Sequence, residues 1–313
     1  MTDIPLVSIS CITFNHAPYL RECFDGFLMQ QTDFQFEVVV HDDASTDGTR
    51  EVIEEYTAKY PDIFVPMYQT ENQYSQGVRG MMARFNFPRC RGKYIALCEG
   101  DDYWTDPFKL QKQVDFLEGN PDFVLCFHNA VVLNERTKKE RLFIEKYNKL
   151  TYDGKDILFD WYIPTASMVC RNIEGSLPEY MKTAPHGDLG FQLYLLKFGK
   201  FRVLDEVMSV YRKSEHGITN SFNTLAYYKS YILQMENMNV YFNKIYSNQL
   251  KSNIFHAYSE IIKKRAYENN TRQVYYFLKM FTYSLMLEKL KSKELYLTFK
   301  SLTLNIIYGK KRK

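Results

Sequence analysis

From Ser221 to the C-terminus the sequence contains no proline, and its one glycine there is Gly309. Without those breakers a chain rich in Tyr, Leu, Lys and Asn is free to run as successive helices, and a helical region of roughly 90 residues is expected. No apolar run approaches the ~18 residues of a membrane-spanning helix, so none is expected. The opening Met1-Thr2-Asp3-Ile4-Pro5 has neither a basic segment nor a long apolar one, so no secretory signal is read there. The six cysteines, at 11, 23, 90, 98, 126 and 170, include no Cys-x-x-Cys pair. That spacing argues against zinc and dithiol motifs, and the apolar neighbours point to reduced, buried thiols in a cytoplasmic protein. A net charge of only +3 is too small to argue for nucleic-acid binding, which wants a strongly basic face.

Aromatic residues are abundant instead, with 25 Tyr and 23 Phe in 313 residues. They supply core, and flat apolar surfaces on which sugars or bases stack. Through the first half of the chain, strand and helix patterns alternate. Leu6 to Phe14 reads as a buried strand, and Leu20, Cys23, Phe24, Phe27 and Leu28 as one face of a helix. Phe36 to Val40 is a second strand, and Ile63 to Tyr68 a third that Pro66 assigns to a sheet edge. Met81 to Phe87 is expected to be helical, Tyr94 to Leu97 a strand, and the stretch from Pro107 a helix that Gly119-Asn120-Pro121 stops. Phe123 to Leu133 and Ile163 to Cys170 read as strands, with a charged mobile or hairpin insertion over residues 134 to 150. A helix over 187 to 198 and short strands at Phe201–Leu204 and Val207–Tyr211 follow. This order predicts an α/β fold with a mostly parallel sheet covered by helices on both faces.

Two acidic loops end strands of that sheet. The first is His41-Asp42-Asp43-Ala44-Ser45-Thr46-Asp47-Gly48-Thr49; the second is Cys98-Glu99-Gly100-Asp101-Asp102-Tyr103-Trp104. Open α/β sheets bind ligands at the carboxyl ends of their strands. Carboxylates crowded on one turn repel unless a cation lies among them. Oxygen ligands with no Cys or His pair beside them suit Mg²⁺ or Mn²⁺ rather than zinc. A solvated acidic turn is the plain alternative.

The order Val7-Ser8-Ile9-Ser10-Cys11-Ile12-Thr13-Phe14-Asn15, then Val38 to Thr49, then Gly92 to Asp102, resembles the family 2 glycosyltransferases of GT-A fold. The likeness is strong over residues 5 to about 125 and looser to about 215. It implies a GT-A catalytic domain over 1–220, with 221–313 as a helical C-terminal region. It implies a nucleotide-sugar donor, usually a UDP-sugar, a glycan or lipid-linked glycan acceptor, and inversion at the anomeric carbon. It places Thr13, Phe14 and Asn15 under the nucleotide, and Asp42 and Asp43 at the base and ribose. Asp101 and Asp102 match the DxD-type element, Asp102 as metal ligand and Asp101 at the ribose or the metal shell, with Glu99 at its first acidic position. Asp188, in Ala184-Pro185-His186-Gly187-Asp188-Leu189, matches the general base, although Gly187 stands where a Glu is usual. His216 matches a histidine that completes the metal site in some relatives.

Other residues carry open alternatives. Trp104 is a sugar platform or core. Trp161 and Tyr162 are acceptor-wall candidates, Arg79 and Arg84 candidates to reach the donor phosphates, and His186 a rival base. His128 is read as a core or rim histidine, and His41 as facing away from the carboxylates. The apolar C-terminal helices, broken by lysines and ending Lys310-Lys311-Arg312-Lys313, are a lid, a homo-oligomer contact, or a peripheral contact with an anionic membrane surface. Two rival functions stand beside transfer of a sugar for polysaccharide assembly. A nucleotidyltransferase would want a glycine-rich loop after the first strand, which Thr13-Phe14-Asn15-His16 lacks. A non-catalytic carbohydrate-binding relative would not need the full acid set.

Overall fold

Val7–Thr13, dense in β-branched and small residues, forms strand β1 and is buried along nearly its whole length. Ala17–Leu28 follows as α1, with Pro18 in the first turn, where its missing N–H costs nothing. Phe36–Asp42 is β2, Thr49–Lys59 is α2, Phe64–Tyr68 is β3 and Tyr94–Glu99 is β4. β1 lies between β2 and β4 and parallel to both, and β3 closes that edge of the sheet beside β2. Pro66 therefore sits in an edge strand, as its lack of a donor requires.

The chain continues through Tyr103–Trp104 (β5), Lys109–Gly119 (α3), Phe123–Asn134 (β6), Glu140–Leu142 (β7), Thr151–Tyr152 (β8) and Gly154–Phe159 (α4). Val169–Arg171 (β9), Gly187–Leu195 (α5) and Lys200–Lys213 (β10) complete the sheet region. The sheet order is β3-β2-β1-β4-β9-β6-β10-β5, with β7 on β6 and β8 on β10. The long ladders are parallel, while the short strands β5, β7, β8 and β9 pair antiparallel. This computed structural model describes residues 4–159, 163–173, 177–182, 187–214, 224–263, 270–287, 295–300 and 303.

Three elements differ from the sequence reading. Residues Met82–Asn86 form a π-helical turn and Phe87–Arg89 a 3-10 turn, not an α-helix. The cause is Asn86, which is fully buried and reaches into the sheet. Its Nδ2 donates to Ser10 Oγ (3.0 Å), Cys11 O (3.0 Å) and Val39 O (3.2 Å), while Arg89 donates to its Oδ1 (3.0 Å). Between Ile163 and Cys170 only the end is strand; Thr165–Ser167 turns as a 3-10 segment, where Ser167 bonds back to Pro164 O. The two short strands after Lys200 are one strand, β10, which absorbs Asp205 and Glu206 in a bulge between Leu204 and Val207. Residues 134 to 150 do contain the hairpin pairing of β7 with β6.

The core beneath β1 is aromatic. Phe24 meets Phe64 edge-on at 4.9 Å and Tyr56 at 5.1 Å between ring centroids. The Asn86 brace crosses β1 and β2 inside this unit, and deleting it leaves buried acceptors without a donor. Asn86→Ala is expected to lower stability by about 2–4 kcal/mol, read as a shifted urea midpoint with an unchanged slope.

The chain divides into two compact units, Met1–Glu215 and His216–Lys313. The second holds Leu225–Tyr241 (α6), Ser247–Lys263 (α7) and Asn270–Leu285 (α8). Thr224 caps α6 by accepting from Tyr227 N at 3.1 Å. Met235, Met238, Ile254, Phe255, Ile262 and Met280 are buried in that unit. Among the described residues no helix is long and apolar enough to cross a membrane.

Candidate active site

The site lies where the sheet order reverses. β1 hands on to β2 and β3 on one side, then the chain crosses to β4 on the other. Thr13 pairs with Asp42, and Ile12 with Glu99, so both acidic loops leave the sheet beside the end of β1. Gly100 N donates to Ile12 O at 2.9 Å, and Asp43 N to Thr13 O at 3.0 Å. The approach at Gly100 is close. A methyl group there would stand 3.0 Å from His16 Nδ1 and Leu20 Cδ1 and 3.1 Å from Thr13 Cβ.

The loops after β1 and β2 are laced together. Asn15, with φ 55°, donates its N–H to Ser45 Oγ and accepts from Thr46 N, both at 2.8 Å. Asp47 accepts from Ala17 N at 3.1 Å and from Thr49 Oγ1 at 2.6 Å, and His16 N donates to Thr49 Oγ1 at 2.8 Å. Asp42 accepts from the hydroxyl and N–H of Ser45; burial still raises its pKa, against those two bonds. Asp43 holds the far rim, accepting from Gln73 N (2.7 Å) and Tyr74 N (3.0 Å), while Asn72 donates to its carbonyl. Thr13 is buried at the floor and Phe14 is exposed above it.

The second loop carries the charge. Asp102 is buried; its Oδ1 accepts from Arg212 N at 2.8 Å, and its Oδ2 is buried with no partner. Burial, then Asp101 and Glu99, hold its pKa well above the carboxylate range, against the Arg212 bond. Glu99 is pushed up to about 8 by burial, then by Asp101, then by Asp188. Asp188 opens α5, and its charge therefore reaches the acidic loop from a different part of the chain. Asp101 faces His16, with Oδ2 at 3.9 Å from Nε2.

This is a cluster that repels itself. A divalent cation would relieve it, and the buried Asp102 Oδ2 has the chemistry to ligate one. Among the described residues no three acidic, His or Cys side chains already stand in a ligand cluster. A cation of the Mg²⁺ type needs only one or two carboxylates, with substrate phosphates and water completing its shell.

Arg212 is the residue the sequence did not single out. Its guanidinium is buried, pairs with Glu22 and Glu135, and lies 4.6 Å from the Tyr103 ring centroid and 5.1 Å from that of Tyr19. It locks the end of β10 over the acidic loop, as Ser209 and Val210 pair with Trp104 and Tyr103. Nothing in Tyr211-Arg212-Lys213 distinguishes it from a surface arginine.

Trp104 is core: it is buried, donates Nε1–H to Ala166 O at 2.9 Å, and packs on Phe27. Beneath it lies Lys109, fully buried, with its ammonium 4.0 Å from the Trp104 ring centroid and bonded to Gln113. Burial lowers the Lys109 pKa to about 7. His41 stacks on Phe85 at 4.6 Å, and burial lowers its pKa to about 4. His128 is buried with Nδ1 2.7 Å from Asn129 O. Arg79 stacks on Tyr74 and bonds the carbonyls of Tyr74 and Val78, and Arg84 bonds Arg79 O, so both brace the rim loop. Trp161, Tyr162, His186 and His216 lie outside the described residues.

Residues 8–175 match the model of the family described as "Glycosyl transferase family 2". The chain belongs to glycosyltransferase family 2. The fold is of the GT-A kind, and the chain as a whole superposes with a TM-score of 0.55 on Staphylococcus aureus TarS 1–349 in complex with UDP. That match has 16% identity and covers 98% of this glycosyltransferase and 92% of TarS 1–349, so it speaks for fold alone. An uncharacterized protein of Mycobacterium tuberculosis, Rv1520, is 39% identical over 226 residues, 70% of this chain. The aligned part spans 62% of the length of Rv1520. TuaG of Bacillus subtilis, named as a putative teichuronic acid biosynthesis glycosyltransferase, is 26% identical over 69% of this chain and 82% of its own length.

Proposed function

We propose that this glycosyltransferase is a metal-dependent, inverting enzyme that moves a sugar from a nucleoside-diphosphate donor, UDP first among them, to a hydroxyl of a growing surface polysaccharide. The observation that carries the reading is the crowding of Glu99, Asp101 and Asp102 in the loop after β4, with Asp188 near enough for its charge to act on Glu99. The nucleotide lies across Thr13, Phe14 and Asn15, with Asp42 and Asp43 toward base and ribose. Asp101 lies toward the ribose. Asp102 would hold a divalent cation, which when bound would supply Lewis-acid neutralisation of the leaving diphosphate.

Asp188 accepts the proton of the acceptor hydroxyl, whose own pKa is far above 7. The acceptor oxygen bonds the anomeric carbon as the carbon–oxygen bond to the diphosphate breaks, and the nucleoside diphosphate leaves with the electron pair. One displacement inverts the anomeric centre. The name of TuaG supports the polysaccharide acceptor.

The test is nucleotide release from a panel of UDP- and GDP-sugars with Mn²⁺ and with EDTA. UDP release from at least one UDP-sugar, abolished by EDTA and restored by Mn²⁺, is expected. Consumption of added pyrophosphate, with formation of UTP and a sugar 1-phosphate, would assign the site to nucleotidyl transfer. Cleavage of no donor in the presence of Mn²⁺ and polysaccharide acceptors would leave a binding module.

A further inference from the structure

Helix α8 is apolar on two sides. Tyr276, Met280 and Ser284 form its buried side within the C-terminal unit. Val274, Leu278, Phe281 and Leu285 recur at the helical spacing of four, three and four residues, and form a second stripe. That stripe is exposed: Leu278 by 58% and Leu285 by 65%, with Val274 at 38% and Phe281 at 40%. Tyr275 and Met286 extend it and are about half exposed. A contiguous apolar face of this kind marks an interaction surface rather than ordinary scatter.

The charge of the unit says what the surface meets. Residues 216–313 hold 16 Lys and Arg against five Asp and Glu, a net charge of +11. Residues 1–215 hold 24 against 32, a net charge of −8. The modest total hides two units of opposite sign. Arg272 and Lys279 lie on α8 beside the apolar stripe and are exposed, with the Lys279 ammonium 5.7 Å from the Tyr275 ring centroid. A second copy of the chain would bring another strongly basic unit against this face and be repelled. An anionic lipid surface is complementary on both counts, accepting apolar side chains below and cations at the headgroups.

We propose that the α8 face docks this protein on anionic phospholipid bilayers, with Leu278, Phe281 and Leu285 entering the headgroup–acyl boundary. Docking requires no sugar donor, so it stands or falls separately from the transfer reaction. It would hold the enzyme at a surface where lipid-linked acceptors are presented.

The test uses the full chain with vesicles of phosphatidylcholine alone and of phosphatidylcholine with about one third phosphatidylglycerol, near physiological and at several-fold higher salt. Flotation with the anionic vesicles at the lower salt is expected, with loss at high salt and with the neutral vesicles. Leu278→Gln/Phe281→Gln/Leu285→Gln, all at exposed positions, is expected to weaken binding roughly tenfold or more at unchanged circular dichroism. In a separate variant, Phe281→Trp, tryptophan emission is expected to shift to the blue on adding anionic vesicles. Binding that survives the triple substitution, with no blue shift, would reduce the contact to general basic adsorption and overturn the proposal. Absence of flotation would overturn it too. So would a concentration-dependent dimer, dissolved by the triple substitution, in protein that ignores vesicles.

Discussion

Asp102→Asn is expected to abolish the Mn²⁺-dependent part of sugar transfer, lowering turnover by roughly a thousandfold, while leaving the fold intact. The amide keeps the acceptor that takes the Arg212 N–H at 2.8 Å and matches the shape of the buried carboxyl. What it loses is the anionic Oδ2, buried without a partner. The same variant is expected to lose the thermal shift that Mn²⁺ gives the wild type. That shift has a defined pH dependence. Glu99 titrates near 8 in the folded, metal-free chain, well above its ordinary value. A raised carboxyl favours the protonated fold, so the contribution of Glu99 to metal-free stability is greatest at low pH and is lost as pH rises toward about 8. A cation must displace that proton, so the Mn²⁺ shift is expected to be small near pH 6 and to grow toward pH 8. Near-wild-type turnover in Asp102→Asn, or a Mn²⁺ shift that is flat with pH, would remove the cation from this loop.

Asp188→Asn is expected to lower kcat by roughly 10²–10⁴-fold with little change in donor affinity. Asparagine serves as well as aspartate at a helix start, so α5 should persist. The informative readout is the split between parameters. A base contributes to the transition state alone, and its loss lowers kcat and kcat/KM together. The acid limb of the wild-type pH–rate profile should vanish in the variant. A variant that raised only KM, with the profile unchanged, would reduce Asp188 to a helix-start residue whose charge merely reaches Glu99.

The alternation of strands and helices was legible because it is written in local apolar spacing, and β1, β2, β4 and α3 lie where that spacing puts them. The edge position of β3 was legible from Pro66 alone. The π turn at Met82–Asn86 was not, because it goes with a single amide that reaches the Ser10 hydroxyl and the Cys11 and Val39 carbonyls, 47 to 76 residues away. The unity of β10 was hidden by Asp205 and Glu206, whose charge reads as a loop but is tolerated on an exposed bulge. In the site, the acidic loops announced themselves through crowding that local sequence displays. Arg212 did not, since its partners Glu22 and Glu135 are 190 and 77 residues distant. Lys109 and Gln113 interrupt an apolar helix face and can be noticed as anomalies. What they touch, the Trp104 ring and the carbonyls of Cys126 and Ser167, is settled by tertiary packing.

The lacing between the turns after β1 and β2 bears on any effort to retune which nucleotide is accepted. Asn15, Ser45, Asp47 and Thr49 spend their polar atoms on one another, so a library randomising them would mostly sample collapsed scaffolds. Phe14, exposed and outside that lacing, is where diversity can be introduced while the masonry stays standing.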